Sequence, residues 1–359
     1  MHTTINILIT IILIPWPVIL MMSPMMIAAT GFRDSRSSLL FATAIMSYPV
    51  IIFAILKLMD LSFWGMNVSA WLITFFIISG GIILLYGIPR MLINLGKGIK
   101  NNGYFKNDSV VFFDGHKISK ADPRSFTIIA GGSHYAKDYN HVFYMGNIVK
   151  DADPLTFAPM IDTNAEQSGN LTAVFWKDKA NVYYNAKKME GCDAETFQYL
   201  HGIYGKDINH VYFGNNILSG AKPDKFRLLN DIITTDETSL FIFNKAVNIP
   251  LDLSSFSVVQ DGDHVFCKDI NHVYLPFYGH QEPLVKVEEA DVETFHLLDR
   301  YYAKDKHNVY YYGYNKNNKR TLIYLAGANP DNFSVGYDAS TKSDATDGLN
   351  FYLAGKIVR

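Results

Sequence analysis

The chain has 359 residues, of which 49% are hydrophobic and 18% charged, and its formal net charge is −2. These averages hide an uneven distribution, because residues 1–100 carry a net charge of +4 and residues 101–359 about −6. Nucleic acids require a basic surface, so the acidic remainder excludes a nucleic-acid-binding protein and predicts no nucleic-acid partner.

The first hundred residues contain three long uncharged runs, near residues 5–30, 38–56 and 68–89. Each run is close to the roughly 20 helical residues that cross a bilayer. The first run is too long for the apolar core of a signal peptide and lacks a basic segment before it. No ionisable residue lies at the centre of a run, which favours an anchor over a transporter. The lipid bilayer is therefore the first predicted partner.

The basic residues predict the orientation of these spans. Arg33 and Arg36 lie in the first loop, and Arg90, Lys97 and Lys100 follow the third run, whereas Lys57 is alone on the other side. The positive-inside rule then predicts a multi-pass bacterial inner-membrane protein with its carboxyl-terminal region in the cytoplasm. If one span were miscounted, that region would be periplasmic.

Beyond residue 100 the chain repeats a short motif, Lys-Asp followed by a Val-aromatic pair four residues after the aspartate. Clear copies begin at Lys137, Lys177, Lys206, Lys268 and Lys304. Weaker copies place Val111, Leu240 and Phe351 at the valine position, which gives eight units. Such regular self-similarity predicts a repeat architecture for residues 101–359, either solenoid-like or propeller-like.

A second motif, Asp-Pro-x-x-Phe or a close variant, follows each valine position. The separation is 15 residues in the first four units and then grows, so loops are inserted in segments 275–290 and 312–328. Alternating β-branched and aromatic residues predict strands, Asp114-Gly115 predicts a hairpin turn, and Asp-Pro predicts a type I turn. Each unit should contain roughly three strands, so the fold class is N-terminal transmembrane helices followed by an all-β array.

Strand alternation predicts which side chains are available for binding. The valine should face a core, and the following aromatic should face the other side together with the residue before the valine. These residues form a candidate exposed ladder of rings and polar groups for a protein partner: Phe143, Tyr183, Tyr212, Tyr274, Tyr310, His141, His210 and His272. An alternative reading is that the rings stack on the neighbouring unit.

The Lys-Asp-x-x-x-Val-Tyr-Tyr copies resemble the DKNYY family of bacterial proteins, over essentially Asn101 to Arg359. The copies at Asn107, Asp236 and Asp347 depart from the motif. The resemblance implies an envelope-associated bacterial protein, and it implies no enzymatic activity and no catalytic residues.

Catalytic and metal-binding patterns are not apparent in the sequence. It contains no G-x-S-x-G, H-E-x-x-H or phosphate-binding loop, so no enzyme, cofactor or metal is predicted. The repeated aspartates fit turn caps better than calcium ligands. Cys192 and Cys267 form no C-x-x-C, which leaves a disulfide or two unpaired core thiols open.

These features predict a membrane-anchored binding protein without catalysis. Our leading hypothesis is an immunity protein that neutralises an interbacterial toxin of the type VI secretion kind. The alternatives are a structural or sensory envelope protein whose repeats scaffold a complex, and an enzyme whose site lies in the inserted loops.

Overall fold

The computed structural model describes residues 2–129, 134–160, 174–261, 264–276, 283–314 and 320–358. The tips of both predicted loop insertions, at 277–282 and 315–319, and the carboxyl-terminal Arg359 lie outside these ranges.

The amino-terminal region is helical. Its elements are α1 (His2–Leu13), α2 (Pro15–Ala28), a 3₁₀ turn (Phe32–Asp34), α3 (Arg36–Leu58), α4 (Val68–Leu85) and α5 (Ile88–Gly96). Three helical stretches are long and apolar enough to cross a membrane, namely Thr3–Ala28, Arg36–Leu58 and Val68–Leu85. The predicted count of three is confirmed. The third span ends before the predicted residue 89 because Gly87, at φ +68°, turns the chain into α5.

The three spans are joined at one backbone carbonyl. Pro49 lies inside α3 and, because it has no N–H, gives no helical hydrogen bond to the carbonyl of Ile45. The nearby carbonyl of Met46 accepts hydrogen bonds from the indole Nε1 of Trp16 in α2, at 2.8 Å, and from Oγ of Ser79 in α4, at 2.9 Å. Side-chain donors of this kind satisfy backbone groups where lipid offers no partner.

The rest of the described chain forms small antiparallel sheets. The first sheet contains β1 (Tyr104–Lys106), β2 (Val111–Phe113) and β3 (His116–Lys117). The second contains β4 (Thr127–Ile128), β5 (Tyr135–Lys137), β6 (Val142–Tyr144) and β7 (Asn147–Ile148). The third contains β8 (Ala158–Met160), β9 (Phe175–Lys177), β10 (Val182–Tyr184) and β11 (Lys187–Lys188).

Five further sheets follow with the same order of strands. The fourth contains β12 (Gln198–His201), β13 (Tyr204–Lys206), β14 (Val211–Phe213) and β15 (Asn216–Ile217), and the fifth β16 (Arg227–Leu228), β17 (Ile233–Thr235), β18 (Leu240–Ile242) and β19 (Lys245–Ala246). The sixth contains β20 (Ser257–Asp261), β21 (His264–Lys268), β22 (Val273–Pro276) and β23 (Leu284–Val287). The seventh contains β24 (His296–Leu297), β25 (Tyr302–Lys304), β26 (Val309–Tyr314) and β27 (Arg320–Tyr324), and the eighth β28 (Ser334–Asp338), β29 (Ser343–Thr346), β30 (Phe351–Leu353) and β31 (Lys356–Ile357).

The described residues therefore contain eight sheets, which confirms the predicted repeat array of eight units. The expected three strands per unit are wrong for all but the first sheet, because the segment before each Lys-Asp, such as Tyr204–Lys206, is itself a strand that pairs with the valine strand. In six of the eight described sheets this strand is only three residues long, too short for an alternation to be recognised. The predicted hairpin turn is confirmed, with Asp114 at φ +49° and Gly115 at φ +73°.

The chain divides into two compact units, and the division crosses the third sheet. Unit 1 is Met1–Pro159, Gln167–Lys179 and Ala186–Lys188, and unit 2 is Met160–Glu166, Ala180–Asn185 and Met189–Arg359. Unit 1 thus contains the helices and the first two sheets. The change from helices to strands that was predicted at residue 100 falls between α5 and β1.

Within each unit, neighbouring sheets stack face to face around apolar clusters. In unit 1, Val111 of the first sheet packs in one cluster with Phe126 and Phe143 of the second. In unit 2, Val211 of the fourth sheet packs in the same way with Phe226 and Phe241 of the fifth. Within each unit, a sheet between two neighbours is consequently covered on both faces, and the stacked pairs share one core each.

Candidate binding surface

The five aromatic rings of the predicted ladder are buried. The exposed fractions are 0% for Phe143, 0% for Tyr183, 1% for Tyr212, 0% for Tyr274 and 2% for Tyr310. The prediction that these rings form an open ladder is wrong, since it gave each sheet only one core face. The alternative, that the rings pack against the neighbouring unit, describes the stacked sheets correctly.

The tyrosines of this set also anchor the repeated aspartate. The hydroxyl groups of Tyr212 and Tyr274 donate to the carboxylates of Asp207 and Asp269 at 2.8 and 2.7 Å. A buried phenol requires a hydrogen-bond partner, and a carboxylate five residues before it supplies one in the fourth, sixth, seventh and eighth sheets.

The aspartate of each Lys-Asp motif is the centre of a buried turn. In the fourth sheet, Oδ1 of Asp207 accepts the amides of Asn209 and His210 at 2.8 and 2.6 Å. Its Oδ2 accepts the amide of Asp193, from the second motif, at 2.9 Å. Asp138, Asp269 and Asp347 have corresponding amide donors. The predicted role of the aspartates as turn caps is confirmed.

These hydrogen bonds shift the ionisation of the buried carboxyl group. Burial raises the pKa of Asp207, but hydrogen bonds from the Asp193 amide, the Tyr212 hydroxyl and the turn amides outweigh burial. The pKa therefore lies below its ordinary value, and the charged form is the one that the turn holds. Burial and hydrogen bonds have the same combined effect on the pKa of Asp236, Asp269 and Asp347.

A side-chain hydroxyl group connects the second motif to the first by hydrogen bonds. In the fourth sheet, Oγ1 of Thr196 donates to Asp193 at 2.9 Å and accepts the amide of Ile208 at 3.1 Å. Ser125 makes the same pair of bonds with Asp122 and Tyr139 in the second sheet. The residue after the buried aspartate is thus fixed in a repeated position.

Two further side chains join the fourth sheet to the fifth. Nζ of Lys206 donates to the carbonyl of Pro223 at 2.9 Å, and Lys137 and Lys304 make the equivalent bond. At the other end of the same strand, the hydroxyl of Tyr204 donates to the carbonyl of Phe243 at 3.0 Å. The lysine and the tyrosine therefore stabilise opposite ends of the contact between two sheets.

The three predicted site histidines each lie beside the aspartate of their own turn. Nδ1 of His141, His210 and His272 lies 3.5, 3.9 and 3.9 Å from the carboxylates of Asp138, Asp207 and Asp269. Their side chains are 33, 41 and 43% exposed, so part of each ring is accessible. Across the described ranges, no three histidine, cysteine, aspartate or glutamate side chains are grouped as metal ligands would be.

Each of these turns also exposes a large apolar side chain that was not among the predicted site residues. Tyr139, Ile208 and Ile270 are 72, 68 and 70% exposed. The turns read Asp-Tyr-Asn-His once and Asp-Ile-Asn-His twice. This recurrence was visible in the sequence and could have identified them. We refer to residues 138–141, 207–210 and 269–272 as the apolar turns.

The third, fifth and seventh sheets carry a charged residue at the position that Tyr139, Ile208 and Ile270 occupy in the apolar turns. Lys179, Glu237 and Lys306 form ion pairs with Asp153, Lys225 and Asp291 at 3.1, 3.0 and 2.7 Å. Apolar and ion-paired turns therefore alternate along the chain from the second to the seventh sheet.

An open cavity of about 280 Å³ adjoins one apolar turn in unit 2. Its walls include Gln198, Ile208, Pro223 and Asp224. An apolar side chain at the edge of a depression with a few polar groups is a surface on which a protein segment can dock.

The two cysteines take no part in this surface. Both are free thiols, so of the two alternatives that the sequence left open, unpaired thiols are correct and a disulfide is not. Burial raises the pKa of Cys267, and also that of Cys192, to about 12, which keeps both unreactive near neutral pH.

Comparison with known proteins gives one match. The model of the DKNYY family matches residues 97–171 and 175–356, which is more than half of the chain. No curated protein and no solved structure matches the sequence significantly.

Proposed function

This chain belongs to the DKNYY family, and we propose that it is a membrane-anchored binding protein without catalytic activity. Its function on this proposal is immunity: it captures a protein toxin delivered by a neighbouring bacterium, for example through a type VI secretion system. The three apolar helices supply the anchor, and within each unit the stacked sheets supply a frame that holds the surface turns.

One observation carries the binding part of the proposal. Both faces of a sheet that lies between two neighbours are buried, so on this proposal the partner is recognised by the turns. Among these, the apolar turns hold a large exposed side chain in the same hydrogen-bonded position in three different sheets. Desolvating such a side chain on binding contributes about 25 cal/mol per Å² of apolar surface.

The proposed location is the bacterial inner membrane with the repeats in the cytoplasm. Five of the six basic residues in the first hundred lie in the first loop or after the third span, which is the distribution that the positive-inside rule associates with the cytoplasm. A reporter fused after Arg359 should be active only in its cytoplasmic form. Activity of a periplasmic reporter would contradict this orientation.

Deletion of the gene tests the immunity proposal. The deletion strain should grow normally alone and should be killed in co-culture with its wild-type siblings, whereas a copy supplied in trans should restore survival. Survival of the deletion strain in that co-culture would refute immunity.

A structural or sensory envelope protein is the second candidate. It is favoured by the fixed junction between the helices and the first sheet, where the side-chain amide of Asn94 donates to Asn101 and to the carbonyl of Gly115, both at 2.9 Å. This candidate predicts a growth or envelope defect in the deletion strain without any sibling present.

A further inference from the structure

The loop after α2 and the segment after α4 lie at the same end of the helical bundle. The side-chain amide of Asn101 donates to the carbonyl of Arg33 at 2.9 Å and to that of Met91 at 3.2 Å. Asn101 is only 1% exposed. This buried polar contact fixes the linker between α5 and β1 instead of leaving it free.

This end of the bundle is basic. Five cationic residues lie there, namely Arg33, Arg36, Arg90, Lys97 and Lys100. Most of the groups that could pair with them already have partners. Asp114 pairs with Arg33 at 3.4 Å, and Asp34 accepts the side-chain amide of Asn102 at 3.0 Å.

Arg36, Lys97 and Lys100 are the exposed members of this group, and the last two follow α5. Both are exposed, and neither forms an ion pair with any residue that the structure describes. Two exposed ammonium groups that form no ion pair, at the end of a membrane-spanning bundle, are positioned to meet lipid headgroups.

Helix α5 has the two-sided character of an interfacial helix. Ile88 and Met91, which are 1 and 6% exposed, pack in one cluster with Leu39 of α3. The other side exposes Ile93, at 57%, one turn before Lys97. An apolar side chain next to cationic ones is the pattern of helices that lie at the boundary between headgroups and acyl chains.

A cavity of about 400 Å³ begins at Lys100. Tyr104, Phe105 and Ile128 form apolar walls, and Ile128 is 57% exposed. Lys106 also lines the cavity, but its ammonium group donates to the carbonyls of Pro123 and Phe126. Lys100 is therefore the lining cation whose ammonium group donates to no protein acceptor among the described residues.

We propose that this surface is a binding site for an anionic phospholipid. Lys97 and Lys100 contact the headgroup phosphate, and the apolar walls beside Lys100 cover the adjoining glycerol and acyl carbons. The site depends on the spanning helices and not on toxin binding, so it can fail or succeed independently of the proposed function.

The test uses the full chain in nanodiscs of phosphatidylcholine alone and in nanodiscs that also contain phosphatidylglycerol. Phosphatidylglycerol should raise the thermal midpoint of unfolding, and native mass spectrometry should find it retained. Lys97→Gln/Lys100→Gln should lower phosphatidylglycerol retention at least roughly tenfold, with an unchanged midpoint in phosphatidylcholine. Lys120→Gln/Lys150→Gln, at exposed lysines in the turns that follow β3 and β7, is the matched control.

A second pair of variants tests the apolar walls. Ile128→Ser should weaken retention of phosphatidylglycerol, whereas Ile217→Ser, at another exposed isoleucine in a short strand, should not. Equal midpoints of the wild type in both lipids would overturn the proposal, as would an identical rise on adding inorganic phosphate to phosphatidylcholine discs. If the lysines served only the carboxyl-terminal dipole of α5, the double variant would lose stability equally in both lipids, which would also refute the site.

Discussion

At the residue scale, the repeated aspartate explains why the motif recurs. Asp207 binds two amides of its own turn, one amide of the second motif and a tyrosine hydroxyl, and it is 3% exposed. A neutral side chain could not accept all four donors equally well, because charge-assisted hydrogen bonds are about twice as strong as neutral ones.

Acid should therefore unfold the repeats. Hydrogen bonding holds the pKa of four buried carboxyl groups below the ordinary value of about 3.9: Asp207, Asp236, Asp269 and Asp347. A lowered folded-state pKa stabilises the fold above the unfolded-state pKa, and this contribution is lost as pH falls towards the folded-state value. The thermal midpoint should be level from about pH 5 to 8 and should fall steeply below about pH 4.

A matched pair of variants isolates one carboxyl group. Asp207→Asn should lower the midpoint at pH 7 and flatten its dependence below pH 4, whereas Asp224→Asn, at an exposed aspartate, should leave both nearly unchanged. Circular dichroism of the full chain in detergent measures the midpoint. An Asp207→Asn profile parallel to the wild-type profile would show that this carboxylate is not a source of the acid sensitivity.

The sequence predicted the chemistry of these turns but not which residues they leave exposed. Spacing alone identified Asp193 and Asp207 as caps, because a short side chain bonds nearby amides wherever the chain turns. The exposure of Ile208 depends on Thr196, which holds its amide from twelve residues away. A contact of this kind is set by the pairing of two turns and not by local pattern.

At the scale of the elements, the sequence did not predict that the sheets stack on one another and are buried on both faces. Alternation along a strand separates two faces but does not say whether the second one meets water or another sheet. Tyr212 and Val211 point to opposite faces and are 1 and 0% exposed. The spans were predictable because a long uncharged run has few other folded states.

The tyrosine contact between sheets gives a prediction at this scale. Tyr204→Phe keeps the ring but removes the hydroxyl that donates to Phe243 and, at 3.3 Å, to Ile232. Leaving a buried carbonyl without a donor should lower the free energy of unfolding by about 1–3 kcal/mol. Urea unfolding measures the loss. Tyr337→Phe, at a tyrosine that is 73% exposed, is the control and should lose little. Equal stability of both variants would contradict a role for this hydroxyl.

At the scale of the whole molecule, the anchor and the repeats have different solvents. The spans expose isoleucine and phenylalanine along α4, including Ile73 and Phe76 at 58 and 65%, as lipid contact requires. The sheets bury their rings and present turns. The turns with Ile208 and Ile270 differ because they expose large apolar side chains. The proposed binding role follows most directly from these turns.

The proposed immunity function can be tested at those two positions. Ile208→Glu/Ile270→Glu places charges on the apolar turns of unit 2 without touching the buried aspartates. When it complements the deletion strain in co-culture with wild-type siblings, this variant should fail to protect, although its amount in the membrane and its thermal midpoint should match those of the wild type. Ile217→Glu, at an exposed isoleucine outside the apolar turns, should protect fully. Full protection by Ile208→Glu/Ile270→Glu would contradict the assignment of the apolar turns as the toxin-binding surface.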